Sequence, residues 1–419
     1  MLRSRTAVVL SLMSLALAVL ALAACGGGDK GGSSTDASTT SANAPKGAPL
    51  KVGLLVNASG PLPSGEENAA PVMQAWARAV NADGGVAGRP VEIVVADTKG
   101  DAPTATAAVQ RLTKDDSVIA AVMFDAATEG VVADAITRAG LPVVGGMGYA
   151  PNAWGAMPNW LPITTSIPSI FNMGMTLGKS LGGTRTALTI CAEIAGCEAA
   201  APVVQRASET LGMSYQGTFK IASSSPSFTA QCLQIIDKKV DYVMLGAATT
   251  SAALRLARDC KTQGYDGQWG LFGGVIFPRV MRREDPGMRL GLVLNSFPWF
   301  ADDAPVARYR DTMEAQGVDE EVYGDLHSTA AYATMELFKK ALDADASSLP
   351  AHPTRRDIVQ AYGDVRGETL GGLLAQPVTF HPDRPNALVS CYWFGSYEHG
   401  TFSDGHLDQP QCDPASLRG

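Results

Sequence analysis

From Leu50 onward the chain alternates short apolar runs with amphipathic stretches, and this pattern constrains the fold more than any other feature. The first run, residues 51–56, is short, contains valine and is followed by turn residues, which is typical of a buried strand. In the next stretch Val72, Trp76 and Val80 recur every four residues, which predicts a helix. Strands separated by helices pair in parallel through right-handed crossovers, with helices on both faces. The sequence therefore predicts a doubly wound α/β fold.

The alternation continues long enough for two lobes, because 419 residues exceed the ~100–200 of one compact core. The predicted strands are 51–56, 91–96, 118–124, 142–144, 186–190, 218–221, 242–245, 269–272 and 291–295. The predicted helices are one that begins at a capping box formed by Ser64 and Glu67, then 103–113, 129–138, 170–181, 199–211, 229–239, 250–262, 304–317, 327–343 and 355–362. Residues 145–165 are predicted to be a loop, and residues 377–402 to be extended strands and turns.

The N-terminus is typical of an export signal. Arg3 and Arg5 precede an apolar run over 7–22, and the run ends in Leu-Ala-Ala-Cys-Gly, which resembles the lipobox of bacterial lipoproteins. We expect a signal peptide over residues 1–24, lipidation of Cys25, and a Gly/Ser/Thr-rich flexible tether over residues 25–49. This places the protein outside the cytoplasm, anchored to the outer face of the cell membrane. An uncleaved single-span anchor is the alternative.

Six of the seven cysteines lie beyond Cys25, an even number in a chain expected to be exported. Sequence alone does not choose among their possible pairings. Proximity favours three local disulfides, with buried free thiols as the alternative: Cys191 with Cys197, Cys232 with Cys260, and Cys391 with Cys412.

Composition and motifs argue against several classes of function. Lys and Arg number 33 against 41 Asp and Glu, for a net charge of -8, which does not suit a nucleic-acid binder. No nucleophile elbow, zinc-protease motif or dinucleotide fingerprint occurs. Residues 174–180 approach a P-loop, but the glycine spacing is one residue short, and His399 and His406 fit no metal signature. We expect a monomeric, non-enzymatic protein without metal or cofactor.

Several segments together resemble the branched-chain amino-acid-binding proteins, which are type I periplasmic binding proteins of ABC importers. They are Ser59-Gly60-Pro61 after the first strand, residues 84–92, Ala96-Asp97, residues 139–144, Phe228-Thr229, Asp241-Tyr242-Val243 and the strand before Pro298. The resemblance implies two lobes joined by three hinge strands, a solute bound between them, and a membrane permease as partner. By this analogy one lobe holds residues 50–165 and 300–370, and the other holds residues 166–299 and 371–419.

Ligands of open α/β sheets bind beyond the carboxyl ends of the strands, which selects the candidate contacts. Glycines at 145, 146 and 148 would let the backbone approach a ligand closely, and aromatic side chains could cover an apolar ligand face. Trp154 fits buried packing better, and His327, which starts a helix, is either structural or directed into the cleft. The candidate ligand-binding residues are Ser59, Leu62, Asp125, Ala126, Thr128, Gly148, Tyr149, Thr249, Gly273 and Phe277.

In the family that the chain resembles, hydroxyl-bearing loops of the first lobe hold the solute α-carboxylate, and an acidic residue of the second lobe holds the ammonium. This chain has only Thr128 as a hydroxyl near residues 125–127, and it has Gly273-Gly274 where the acid is expected. Asp125 could supply a counter-charge from the first lobe. The solute is therefore left open among an amino acid, an amide, an aromatic acid and a polyol. A sensory lipoprotein that signals to a membrane receptor is the alternative function.

Overall fold

The structure is a computed structural model that describes residues 44–60, 65–193 and 195–417. The predicted signal peptide, the lipidation at Cys25, most of the tether, Leu62 and the cap at Ser64 lie outside these residues. At the described end of the tether, the Lys46 amide donates a hydrogen bond to the Gly88 carbonyl at 2.8 Å. Among the helices of the described part, none is long and apolar enough to cross a membrane.

The first sheet has four parallel strands in the order β2-β1-β3-β4. Val56 at the end of β1 pairs with Asp97 and with Phe124, so the carboxyl ends of the strands share one edge. The bounds are β1 Leu50–Val56, β2 Val91–Asp97, β3 Val118–Phe124 and β4 Val143–Gly146, with helices α1 Ala69–Ala82, α2 Ala102–Lys114, α3 Glu129–Arg138 and α4 Pro151–Trp154. Asp101 caps α2, because its carboxylate accepts from the Thr104 amide at 3.0 Å.

The second sheet has the order β11-β10-β9-β8-β7-β5-β6, and β12 pairs with β10. Its parallel part is formed by five strands, and β10 runs antiparallel to β9. The strands are β5 Arg185–Cys191, β6 Ser214–Ile221, β7 Tyr242–Leu245, β8 Gln268–Phe272, β9 Leu290–Leu294, β10 Cys391–Glu398, β11 Thr401–Ser403 and β12 Gln411–Cys412. The helices between them are α5 Ile167–Ser180, α6 Ala200–Thr210, α7 Thr229–Asp237, α8 Thr250–Thr262 and α9 Pro278–Arg283. The predicted two-lobed α/β fold is confirmed.

After β9 the chain returns to the first sheet. The returning helices are α10 Ala304–Ala315, α11 Glu320–Tyr323, α12 Leu326–Ala344 and α13 Arg355–Gly363. The indole of Trp76 on α1 donates to the Glu336 carboxylate on α12 at 2.6 Å, and the Arg355 guanidinium donates to the Val118 carbonyl at 3.1 Å. The chain then crosses once more to form β10. Each sheet is thus covered by segments that are distant in sequence.

The three connections between the sheets lie side by side. The Thr165 amide donates to the Asn295 carbonyl at 3.4 Å, and the Ser166 amide donates to the Val389 carbonyl at 3.0 Å. The Thr165 hydroxyl donates to the Cys391 carbonyl at 2.5 Å. Residues 165–166 therefore form hydrogen bonds with both of the other connecting segments. This is the arrangement expected of three adjacent hinge segments.

The structure contains the three disulfides that proximity favours: Cys191–Cys197, Cys232–Cys260 and Cys391–Cys412. The first joins the end of β5 to the turn before α6, the second joins α7 to α8, and the third joins β10 to β12. All three lie within the second sheet and its helices.

The P-loop-like segment over 174–180 lies inside α5, so its glycines need another explanation. A Cβ on Gly174 would lie 2.4 Å from the Met244 sulfur, and one on Gly178 would lie 2.5 Å from Cδ1 of Tyr242. Both distances are far below contact distance. The two glycines allow α5 to pack closely on β7, which is a structural role.

Candidate functional site

A cavity of about 350 Å³ lies where loops at the carboxyl ends of strands from both sheets meet. Residues 67–68, which follow the loop after β1, line it together with residues 249–251, which follow β7. Phe277 and Val280 after β8, and Glu321 and Val322 on α11, complete the described lining. The volume is at the lower end of the range for small-molecule sites.

The second-lobe wall is built on the first turns of two helices. Thr249 is the N-cap of α8, and its hydroxyl accepts from the Ala252 amide at 3.3 Å, so the first turn of this 13-residue helix borders the cavity. Phe277 precedes α9, and Pro278 begins that helix with a backbone angle suited to the first position. This wall combines the hydroxyls of Thr249, Thr250 and Ser251 with the apolar surfaces of Phe277 and Val280.

A chain of hydrogen bonds leads from the first-lobe wall into the protein. Asn68 in the wall donates its side-chain amide to Asp325 at 2.5 Å. The other Asp325 oxygen lies 3.1 Å from Nδ1 of His327, and Nε2 of His327 lies 2.7 Å from the Tyr149 hydroxyl. Burial lowers the pKa of His327, but the hydrogen bond and the charge of Asp325 raise it by more, so the net shift is upward. His327 is buried and is held between its two partners.

Buried carboxylates surround Tyr149. Asp125 accepts from the amides of Ala127 and Thr128 at 3.0 and 3.1 Å and from the Thr128 hydroxyl, while Glu66 accepts from the Ala126 amide at 2.7 Å. Burial raises the pKa of Tyr149 well above its usual range, and the negative charges of Glu66, Glu129, Asp325 and Asp125 add to the shift. The first-lobe side of the cleft is therefore electrostatically negative.

Glu129 belongs to this group and, like Asp125, has 0% of its surface exposed. Burial raises the pKa of its carboxyl well above the usual range, and the charges of Glu66 and Asp125 raise it further. The amides of Ala150 and Tyr149 oppose the shift, although neither Glu129 oxygen accepts a hydrogen bond of good geometry. Its proton is thus retained at pH values where an exposed glutamate is ionised.

The structure brings two of the predicted contacts, Thr249 and Phe277, to the cavity wall. Ser59 is exposed and donates to the Asp97 carboxylate at 2.5 Å, and Asp125 and Thr128 bond to each other in the loop before α3. Leu62 lies outside the described residues. The remaining candidates also lie away from this cavity: Ala126 is exposed, Gly148 and Gly273 are buried, and Tyr149 is partly buried against His327. Trp154 is buried against Trp160, as its packing interpretation predicts.

Sequence reasoning missed most of the lining. Glu67 was predicted only as a capping residue, and Asn68 had no assignment. Glu321 and Val322 lie on the four-residue helix α11, for which periodicity gives no signal. Val280 lies on α9, a six-residue helix of the same kind. Among the missed residues, only Thr250 and Ser251 carry a feature that is visible in the sequence. They are hydroxyl residues at the predicted start of a helix.

A second cavity, of about 410 Å³, lies at the amino ends of β7 and β8, between residues 181–183, 239–241 and 264–268. Ligands of α/β sheets bind at the opposite ends of the strands, so the cavity between the lobes is the better candidate. Across the described residues, no group of three or more His, Cys, Asp or Glu side chains could hold a metal ion.

Two α/β lobes, three adjacent connections and a cavity with walls from both lobes define a two-lobed binding protein. Residues 49–404 match the family model described as periplasmic binding protein, and the chain belongs to that family. It is therefore a binding protein and not an enzyme. The search of curated proteins found no match.

Solved structures share the fold at low sequence identity. An ABC transporter substrate-binding protein from Sphaerobacter thermophilus has a TM-score of 0.71 at 17% identity, covering 87% of this chain and 98% of that one. A fatty acid ABC transporter substrate-binding protein from Thermomonospora curvata has a TM-score of 0.69 at 16% identity, with coverages of 89% and 96%. A leucine binding protein from Thermotoga maritima has a TM-score of 0.65 at 15% identity, with coverages of 85% and 97%. The type I periplasmic binding protein fold is shared with all three.

Proposed function

We propose that this protein is the solute-binding component of an ABC importer and that it captures a small organic solute between its lobes by hinge closure. The cavity at the facing carboxyl ends of both sheets is the observation that carries the proposal. The fatty acid and leucine binders among the similar structures differ in their ligands, so neither ligand is transferred to this chain. Thr249 and Phe277 are the predicted contacts that we expect to touch the solute.

Closure needs a solute that binds the shut form better than the open form. Two ion pairs join α9 of the second lobe to α11 of the first: Arg279 with Glu321 and Arg282 with Glu320, each at 2.7 Å. They flank the cavity and would break on opening. For the lobes themselves we propose residues 50–165 with 300–370, and residues 166–299 with 371–419. The contacts between α1 and α12 and the pairing of β10 with β9 support this division.

For the location we propose export followed by lipid anchoring through Cys25. The basic, then apolar, then small-residue order of residues 1–24 supports it. The three disulfides support an oxidising compartment outside the cytoplasm. Mass spectrometry of the mature N-terminal peptide tests the anchor. We expect an acylated Cys25 at the new N-terminus, and Cys25→Ser should release the protein from membranes.

Calorimetric titration with pools of amino acids, amides, aromatic acids and polyols tests solute binding. We expect saturable binding of one solute per chain. Val280→Trp should abolish it by filling the cavity, whereas Val131→Trp should not, because Val131 is 60% exposed on α3. If no pool binds, or if Val280→Trp binds as well as the unaltered protein, the proposed site is wrong.

A further inference from the structure

On the basis of the proposed function, we infer how the solute is oriented and which chemical class it belongs to. The solute places a positively charged nitrogen against the first-lobe wall, at Glu67 and Glu321, and a hydrogen-bond acceptor against the start of α8 in the second lobe. Its apolar body lies against Phe277, Val280 and Val322. Solutes whose only charged group is a carboxylate are excluded.

The first-lobe wall carries the negative charge of the cavity. Glu67 and Glu321 line it, and no lysine, arginine or histidine is among the described residues of the lining, although Arg279 just outside the lining pairs with Glu321 at 2.7 Å. Behind Asn68 lies the buried Asp325, and deeper still Asp125. A protonated nitrogen at this wall gains from all these charges, because the low-dielectric walls of a cleft strengthen electrostatic interactions.

The second-lobe wall has the opposite polarity. The start of α8 borders the cavity, where the helix dipole is positive and the first-turn amides have no acceptor within the helix. The hydroxyls of Thr249 and Thr250 lie at the same place. A carbonyl or carboxylate oxygen of the solute suits this wall.

This orientation is the reverse of the one implied by the family resemblance, which places the carboxylate on the first lobe and the ammonium on the second. The reversal accounts for two departures in the sequence. Gly273-Gly274 occupies the place of the expected second-lobe acid, and Gly273 is packed against Leu326, where a Cβ would lie 2.4 Å from Cδ1. Asp125 and Thr128 bond to each other, which leaves the first-lobe loop without an uncommitted hydroxyl for a carboxylate.

Four pools of solutes built on the same linear, branched and aromatic bodies test the class of solute. One pool holds amines, one amino acids, one neutral amides and one carboxylates, each titrated at about pH 6 so that the amines are protonated. We expect binding from the amine or amino-acid pools, at least tenfold tighter than from the other two. Tighter binding by amides or carboxylates overturns the orientation but leaves the proposed function standing. No binding by any pool removes the proposed function, and the orientation with it.

Glutamate variants test which wall holds the nitrogen. Glu321→Gln and Glu320→Gln each remove one ion pair between α9 and α11, but only Glu321 lines the cavity. For the best amine or amino-acid ligand, we expect Glu321→Gln and Glu67→Gln to weaken binding tenfold or more, and Glu320→Gln to weaken it only a few-fold. The neutral amide built on the same body as that ligand should lose the same amount of affinity in Glu321→Gln and in Glu320→Gln. Equal losses of the charged ligand in those two variants would show that Glu321 acts only through closure and would overturn the assignment.

Discussion

At the scale of single residues, the buried acid Glu129 makes stability depend on pH. Its carboxyl has 0% exposure and a pKa raised well above 4.5 by burial and by the nearby charges of Glu66 and Asp125. Between 4.5 and the folded-state pKa, the folded protein keeps a proton that the unfolded chain has lost. Folding stability therefore falls as pH rises through this window.

We expect Glu129→Gln to remove this fall in folding stability at higher pH. The variant should gain free energy of unfolding over the unaltered protein, and the gain should increase as the pH rises above about 5, because glutamine does not ionise. Urea unfolding across this range measures the difference. Glu92→Gln is the control, since Glu92 is exposed and should give a difference that is flat with pH. A gain for Glu129→Gln that does not grow with pH would contradict the buried-acid interpretation.

Gly178 tests the packing of α5 on β7. An added methyl group would lie 2.5 Å from the Tyr242 ring, so Gly178→Ala should cost about 1–3 kcal/mol of overpacking, more than the roughly 1 kcal/mol that alanine gains in a helix. Gly130→Ala, in α3, is the matched control, because the nearest atom to its Cβ is 3.6 Å away and the variant should be neutral or more stable. Thermal unfolding compares the two. If Gly178→Ala is as stable as Gly130→Ala, α5 can move away from β7 at little cost and the packing is not tight.

At the scale of elements, the disulfide between α7 and α8 should contribute more than the short one after β5. The Cys232–Cys260 loop spans 28 residues and the Cys191–Cys197 loop spans 6, which corresponds to about 3.5 and about 2 kcal/mol in the chain-entropy model. We expect the double variant Cys232→Ala/Cys260→Ala to lose more free energy of unfolding than Cys191→Ala/Cys197→Ala. Urea unfolding gives both values, and the reverse order would show that packing, not loop closure, dominates.

Buried strands and long helices could be predicted from the sequence, and short helices could not. The bounds predicted for β3, α3, β7 and α8 agree with the structure. The two strands are short continuous apolar runs, and the two helices have apolar residues at helical spacing. The short helices α4, α9 and α11 were missed, since four to six residues give no periodicity. The helix predicted from Ser64 begins instead as a 3-10 turn over Glu66–Asn68, with α1 starting at Ala69.

At the scale of the whole molecule, the alternation of strands and helices was enough to predict two α/β lobes, but not the lining of the cavity between them. Glu67 and Glu321 are separated by most of the chain, and they share one wall only because α10–α13 return to the first sheet. Whether two such distant residues meet depends on how the chain passes between the lobes. The local pattern of apolar and polar residues does not determine that path. The cavity residues closest to predicted strand ends, Thr249 and Phe277, were the ones that could be predicted.

The two ion pairs between α9 and α11 should bias the molecule toward the closed form. Arg279 and Arg282 pair with Glu321 and Glu320 across the cleft, and neutralising both arginines removes these contacts from the closed form only. We expect Arg279→Gln/Arg282→Gln to have a larger radius of gyration than the unaltered protein without solute, and a several-fold weaker affinity, because exposed pairs contribute modestly. Saturating solute should restore the compact form.

Small-angle scattering with and without solute measures this closure. Arg289→Gln is the matched control, because Arg289 pairs with Asp404 at the same 2.7 Å but both residues lie on the second lobe. That variant should leave the radius of gyration and the affinity unchanged. If the double variant scatters like the control in the absence of solute, the pairs do not hold the lobes together, and closure must depend on the solute and the three crossing segments alone.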